Sequence, residues 1–468
     1  MKSKKKATVA KLSVLAVGLI TISSVDSIRN LPGSAQLGSQ AIFYFIAVAI
    51  CYFIPIALVC AELSTTYPDN GGIYLWGKKT LGKHFGFLSL WFQFAENLVY
   101  YPPLLVFIIA TGVFPISENL SSNNMLMFIL INVIFWIVTF INIFGLKVSA
   151  IFTEIFATIG TVLPMVLICA VGIYWYNSPV EVNQIHITLK SIFPSFDQLN
   201  ISVTFTTVVL SLTGMEIATV YAKEVKNPQK SYPKALMIAT CFILLTLILG
   251  SLAIATVVGP ANSTLNEGIM VFFTHFFEMI KIPWFIPIIA ICIVCGGLAG
   301  LNNWIIAPIK GLHVAAQDGY LPKMLARENK YSAPVALLII QGFIVTLLSL
   351  LFLFIPSVNE GMWLLNILMA VLYMVMYIFI FISFLASRIL DTKINRPFKV
   401  PFGVFGMWFV FILGTFSSGV TILASFNPTA AVGITHYSTF IILLFIGFFI
   451  FTIPAIVAII YQVKRTGK

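Results

Sequence analysis

Charge is what this sequence has least of: only 9% of its 468 residues are Asp, Glu, Lys or Arg, against about 25% in an ordinary soluble domain. So little charge cannot cover a water-facing surface, which excludes a soluble globular protein. Histidine is scarce too, with five in all, and His84, His186, His275, His313 and His436 lie in loops or at the edges of apolar runs. No histidine cluster, metal-ligand spacing or Ser/His/Asp set appears, so an enzyme is the weakest reading and no cofactor is expected. The six cysteines, Cys51, Cys60, Cys169, Cys241, Cys292 and Cys295, all fall inside apolar runs, where a thiol packs as a small hydrophobe. Cys292 and Cys295 form a CxxC, but without a second Cys or His pair it does not make a metal or redox site. The ~10-residue polar/apolar alternation of an outer-membrane barrel is also missing.

What the chain has in abundance is apolar surface. It is 59% hydrophobic and 14% aromatic, with 42 Phe, and its mean hydropathy is +1.01. These values point to an all-α membrane protein. Windows of about 20 apolar residues place twelve transmembrane helices near 8–36, 38–66, 83–114, 123–145, 148–176, 200–222, 234–258, 283–312, 334–355, 361–386, 403–425 and 437–462. Asp26 and Arg29 interrupt the first window and no small-residue cleavage site follows, so it reads as span 1 and not as a cleaved signal.

Net charge is +11, yet the bases lie in short clusters between spans and form no basic face, so nucleic-acid binding is not expected. With a cytoplasmic N-terminus, 24 of the 27 bases fall on the inner side. Only Lys190 and Lys281 lie outside, and Arg29 lies within span 1. This partition puts both termini in the cytoplasm, and one missed or invented span would destroy it. No loop is long enough for a core of its own, so residues 1–468 read as one membrane domain.

Two spans are interrupted at depth. Span 1 carries Thr21-Ile-Ser-Ser-Val-Asp-Ser-Ile-Arg-Asn-Leu-Pro32 and span 6 carries Ser211-Leu-Thr-Gly-Met-Glu216. Such breaks are tolerated in lipid only where they face a protein cavity, and they free backbone groups for a ligand. They lie five spans apart, and five spans reverse the topology, which is the pattern of an inverted-repeat transporter with its site at the midplane. Charges within the spans sharpen this. Glu62 and Glu154 lie near span ends, where snorkelling or capping accounts for them. Asp26, Arg29, Glu96 and Glu216 lie near the middle of spans 1, 3 and 6 and are the functional candidates. Arg29 either neutralises Asp26 or Glu96, or contacts substrate; a titrating Glu216 would couple proton movement to transport.

Four stretches carry a family likeness: Ala61-Glu-Leu with Pro68-Asp-Asn-Gly-Gly-Ile-Tyr74; Gly214-Met-Glu216 with Glu224-Val-Lys-Asn-Pro228 and Tyr232-Pro233; Trp304-Ile-Ile-Ala-Pro-Ile-Lys-Gly311; and Ala316-Gln-Asp-Gly-Tyr-Leu-Pro322. In this order the chain resembles the amino acid, polyamine and organocation (APC) superfamily of transporters along nearly its whole length, most closely the glutamate/gamma-aminobutyrate antiporters. The resemblance implies a five-plus-five inverted repeat with discontinuous helices 1 and 6. Its first repeat runs over about 8–176 and its second over about 200–386, with spans 11 and 12 (about 403–462) added.

It also implies site residues. The substrate carboxylate would meet backbone N–H groups at Ser27 to Arg29, beside Asp26, at the positive end of a half-helix. The amino group would meet carbonyls around Ser23, Ser24, Leu210, Ser211 and Thr213, next to Gly214. Trp304 would cover the substrate. Some of Glu96, Asn97, Tyr100 and Tyr101 would face the same cavity, and Glu216 would be the proton-coupling acid. The chain departs from the superfamily in having Val25-Asp26-Ser27 where Gly-Ser-Gly is usual, and it stops six residues after span 12, so the plug of acid-resistance antiporters is not expected.

The function so implied is secondary active transport in a bacterial inner membrane. The first reading is an antiporter exchanging an amino acid, glutamate or similar, for a related amino acid or decarboxylated amine such as gamma-aminobutyrate. A proton-coupled symporter is the alternative, and a non-transporting receptor or channel on the same spans is the rival from another class. The partners are small amino acids or amines and the lipid bilayer. The Gly296-Gly-Leu-Ala-Gly300 run packs within a bundle as readily as between subunits, which leaves a homo-oligomer open.

Overall fold

The computed structural model describes residues 13–68, 71–144, 156, 158–179, 183–194, 203–217, 219, 225–427 and 437–466. Among these the secondary structure is helical, with no strand. Eleven helices are long and apolar enough to cross a membrane: Val14–Ala35, Gly38–Thr66, Lys83–Val113, Asn124–Ile143, Thr158–Tyr176, Pro228–Val257, Pro283–Gln317, Val335–Phe354, Val358–Leu390, Gly403–Ala424 and Tyr437–Lys464. They are spans 1 to 5 and 7 to 12. Span 6 is the exception because only Val203–Leu210 is helical before the chain unwinds. The chain is a multi-pass membrane protein. Glu154 and Glu224, with Asp69 and Asn70 of the second-span motif, lie outside the described residues.

Burial sorts the spans into centre and rim. The apolar window of span 3 is 94% buried and that of span 10 is 78%, whereas that of span 12 is 22%. Spans 3 and 10 pack against each other, and span 3 also packs against span 8. Lipid favours apolar residues everywhere along a helix, so exposed Phe, Ile and Leu on span 12 are the expected outer face, not a defect.

Span 1 runs as a helix over Val14–Val25, where the Ser13 hydroxyl caps its start by accepting from the Ala16 N–H at 3.2 Å. It leaves helical geometry at Asp26 and resumes through Ile28–Asn30 and Leu31–Ala35. In span 6, Gly214 has φ +109°, a conformation open to glycine but strained for L side chains. A Cβ there would also stand 3.2 Å from the Ser24 carbonyl oxygen and 3.3 Å from the Trp304 ring. The two broken segments therefore meet at Gly214. Spans 5 and 8 approach just as closely: a Cβ on Gly160 would lie 2.2 Å from the Gly296 nitrogen.

The end of the bundle expected to face the cytoplasm is held by two polar latches. Glu62 does not snorkel. Its carboxylate is buried, pairs with Arg388 at 2.5 and 2.7 Å, and accepts the Val400 N–H at 2.7 Å, with Arg396 at 3.6 Å. It thus ties span 2 to span 10 and to the segment before span 11. Removing one partner of a buried pair leaves the other uncompensated, so Glu62→Ala is expected to cost about 3–5 kcal/mol, read as a lower Tm in detergent.

The second latch joins the helix Gly72–Leu81 to the residue after span 8. Asp318 accepts from both Tyr74 and Lys78. Burial pushes its carboxyl up, but the Lys78 ammonium and Tyr74 hydroxyl more than offset this and hold it below the usual carboxylate range. A depressed folded value means that the latch stabilises fully above about pH 4 and is lost as pH falls through the folded value. The Tm difference between the protein and Asp318→Asn is accordingly expected to shrink below about pH 4 and to stay constant above it.

Candidate functional site

The two breaks and spans 3, 5, 8 and 10 line cavities that share wall residues, one of about 420 Å³ counted together with the open space at its mouth. Ser23, Ser24, Asp26, Ser27, Arg29, Tyr100 and Trp304 line that one. An adjoining space of about 310 Å³ is lined by Ser24, Ser27, Arg29, Glu96, Tyr100, Leu210, Thr213, Trp304 and Tyr373. Arg29, Tyr100 and Trp304 face both and form the partition between them. The guanidinium carbon of Arg29 sits 4.8 Å from the Tyr100 ring centre, and the Tyr100 and Trp304 rings are 5.3 Å apart. This is a cation held on aromatic faces.

Arg29 does not neutralise Asp26 or Glu96, since among the described residues no carboxylate lies within 4.0 Å of it. Its Nη1 donates to Asn366 Oδ1 at 3.2 Å, and its Nε has no partner. Asp26 turns the other way, to span 7, where it accepts from Thr246 Oγ1 at 2.9 Å. Glu96 accepts from the Asn97 side chain. The bends that the break imposes on span 1 send the two charges to different neighbours.

Glu216 lies beneath the unwound part of span 6. Both oxygens are satisfied, one by the Tyr373 hydroxyl at 2.8 Å and the other by Tyr377 at 2.7 Å. Tyr377 in turn accepts the Gly214 N–H at 2.7 Å. Glu216 is thereby linked to the backbone of the break through one hydroxyl, so its charge state can be felt there.

Asn97, Tyr101 and Ser211 are buried near the cavities but do not line them, and several of the expected polar groups already have partners. Asn97 donates to the Gln93 carbonyl at 2.7 Å. Tyr101 donates to the Trp304 carbonyl at 3.0 Å and accepts from Gln341 at 2.7 Å, so it positions Trp304. Ser211 donates to the Thr207 carbonyl at 2.7 Å. The hydroxyls of Ser23 and Ser24 turn back to the Ile20 carbonyl at 3.1 and 2.7 Å, and the Leu210 carbonyl accepts from Thr213 Oγ1 at 2.8 Å. That oxygen is therefore partly occupied already.

The sequence reading missed span 10. Asn366, Met369, Tyr373 and Tyr377 fall on one helical face at spacings of three and four; Asn366 is the partner of Arg29, Tyr373 and Tyr377 are those of Glu216, and Met369 lines the cavity. The signal was there in the Tyr373-x3-Tyr377 repeat, but tyrosines in an apolar run read as bulk. Thr246 was missed for the same reason.

The amino acid permease family model matches residues 12–454, nearly the whole chain. The chain belongs to the amino acid permease family. Members of this family are transporters and not enzymes. This permease is 39% identical over 442 residues to an uncharacterized transporter of Legionella pneumophila, covering 94% of each chain. It is 27% identical over 447 residues to the glutamate/gamma-aminobutyrate antiporter of Lactococcus lactis subsp. lactis, covering 94% of the permease and 88% of that protein. The antiporter of the same description in Lactococcus lactis subsp. cremoris is 28% identical over 447 residues. The permease fold, broken at spans 1 and 6, accounts for a cavity between the spans that residues of both breaks line.

Proposed function

We propose that the protein is an antiporter exchanging a carboxylate-bearing amino acid, glutamate or similar, for a related amino acid or a decarboxylated amine such as gamma-aminobutyrate. The observation that carries this reading is Arg29: among the described residues it is the one basic side chain on the walls of these cavities, and none of their acids pairs with it. A guanidinium desolvated in this way gains most from an anionic ligand. The lactococcal relatives named as glutamate/gamma-aminobutyrate antiporters support the substrate class.

In this reading the inverted repeats comprise about 8–176 and 200–386, both termini are cytoplasmic and the membrane is a bacterial inner membrane. The substrate carboxylates meet Arg29 and the free N–H groups that open the second half of span 1. Trp304 and Tyr100 cover the substrate, and Glu216 carries the coupled proton.

The test is counterflow in proteoliposomes with labelled glutamate, aspartate, glutamine, lysine, gamma-aminobutyrate and putrescine between pH 5 and 8. Saturable exchange strongest for glutamate or gamma-aminobutyrate is expected. Exchange of none of them would sink the reading.

A further inference from the structure

The cavity that Asp26 and Trp304 line has an apolar part, its arm, formed by Leu104, Phe107, Ile293 and Gly300. Two independent observations there point to a ligand. The first is Asp26 itself. It is fully buried, no Lys or Arg among the described residues pairs with it, Thr246 takes one oxygen, and Oδ1 has no partner. A buried carboxylate oxygen left without a donor is costly, so a native site that keeps one is arranged for a donor that arrives with a ligand.

The second is Gly300. Glycine inside a helix costs about 1 kcal/mol relative to alanine and needs a reason. Its neighbours have one: a Cβ on Gly296 would lie 2.3 Å from the Gly160 carbonyl, and one on Gly297 would lie 2.6 Å from Ile108. At Gly300 a Cβ would meet nothing within 4 Å. Among the described residues nothing packs against this glycine; it lies on the cavity wall, one turn from Trp304.

Arg29, with its unpartnered Nε, lines the same cavity but reaches toward spans 3 and 10, while Asp26 reaches toward span 7. The site therefore presents a cationic fork and a carboxylate with one unpaired oxygen, held by different spans. A ligand that satisfies both carries a carboxylate at one end and a primary ammonium at the other, joined by an unbranched methylene chain. In glutamate it is the side-chain carboxylate, not the one on the amine-bearing carbon, that has this separation from the ammonium.

We propose that Asp26 is the counter-charge of a terminal-ammonium subsite and that Gly300 sets the length of methylene chain the arm admits. This rests on the transport reading given above and adds which end of the substrate goes where.

The experiment uses the full chain in proteoliposomes. It measures competition against labelled-glutamate exchange by glycine, beta-alanine, 4-aminobutyrate, 5-aminopentanoate and lysine, with butyrate, butylamine and putrescine as controls. Competition is expected to strengthen from glycine to the four- or five-carbon ω-amino acids. Butyrate, lacking the ammonium, and the two amines, lacking the carboxylate, are expected to compete at least tenfold more weakly.

Asp26→Asn is expected to lose at least tenfold of the preference for 4-aminobutyrate over butyrate. Gly300→Val, whose Cβ meets none of the described residues within 4 Å, is expected to move the optimum to shorter chains. A wild type that exchanges glutamate but ignores chain length and the terminal ammonium overturns this inference alone; a wild type that exchanges nothing overturns the transport reading with it. Asp26→Asn with the wild-type preference, or Gly300→Val with the wild-type length optimum, also overturns it. If Asp26→Asn does not fold, the Gly300→Val length series decides.

Discussion

Arg29→Ala is expected to raise the half-saturating concentration of glutamate about thirtyfold or more, because truncating one partner of a buried charge pair costs about 2–5 kcal/mol. The loss should be selective. Competitors without a carboxylate, such as putrescine, gain nothing from a guanidinium and should be affected little. Arg29→Lys keeps the charge but not the planar fork that reaches Asn366 and lies on the Tyr100 ring, so it is expected to recover only part of the affinity. Stability should move the other way. Arg29 is buried, meets no acid and has an unsatisfied Nε, so its replacement by alanine should leave Tm unchanged or raise it. A side chain that costs stability in the empty protein and is retained is what a binding group looks like. Wild-type half-saturation in Arg29→Ala would reduce Arg29 to a packing role.

Glu216→Gln is expected to preserve exchange while flattening its response to pH between 5 and 8. The amide has nearly the shape of the carboxyl and its oxygen still accepts one tyrosine hydroxyl, but it cannot change charge. The groups facing Glu216 are Tyr373 and Tyr377 of span 10, at 2.8 and 2.7 Å, with Tyr52 of span 2 edge-on against Tyr377 at 5.3 Å, Cys60 of span 2, and Gln93 and Glu96 of span 3. Among these only Glu96 shares its chemistry, and Glu96→Gln alone should leave the Glu216 profile in place.

Tyr377→Phe tests the link to the break. It removes a donor to Glu216 and orphans the Gly214 N–H, so transport is expected to fall about tenfold or more while glutamate still binds. That size follows from one unsatisfied buried donor at about 1–3 kcal/mol. An unaltered pH profile in Glu216→Gln would remove the proton role.

Much of this architecture was legible because lipid imposes its own thickness on the sequence. Windows such as 38–66, 83–114 and 403–425 match Gly38–Thr66, Lys83–Val113 and Gly403–Ala424 closely. The break in span 1 was legible because Asp26, Arg29 and Pro32 are residues lipid does not tolerate unaided. Gly214 marked the other break by the backbone it needs.

What was not legible is pairing across distance. Glu62 and Arg388 are 326 residues apart, and nothing local to Glu62 announces a partner. Arg29 illustrates the reverse: Asp26 on its own span and Glu96 on span 3 offered it an ion pair as an alternative to substrate contact, and the bend at Asp26–Ser27 sends it to Asn366 and Tyr100. Composition lists charges but does not orient them. Span 10 escaped notice because its functional face is built of tyrosine and asparagine among leucines and methionines, with no charge to flag it.

The most direct measurement is efflux of labelled glutamate from preloaded proteoliposomes with and without unlabelled gamma-aminobutyrate outside. A site that must be refilled before it can return predicts slow efflux into buffer and at least tenfold faster efflux when external substrate is supplied, with the acceleration lost in Arg29→Ala. Efflux at the same rate with and without external substrate would contradict antiport and point to a channel or uniporter.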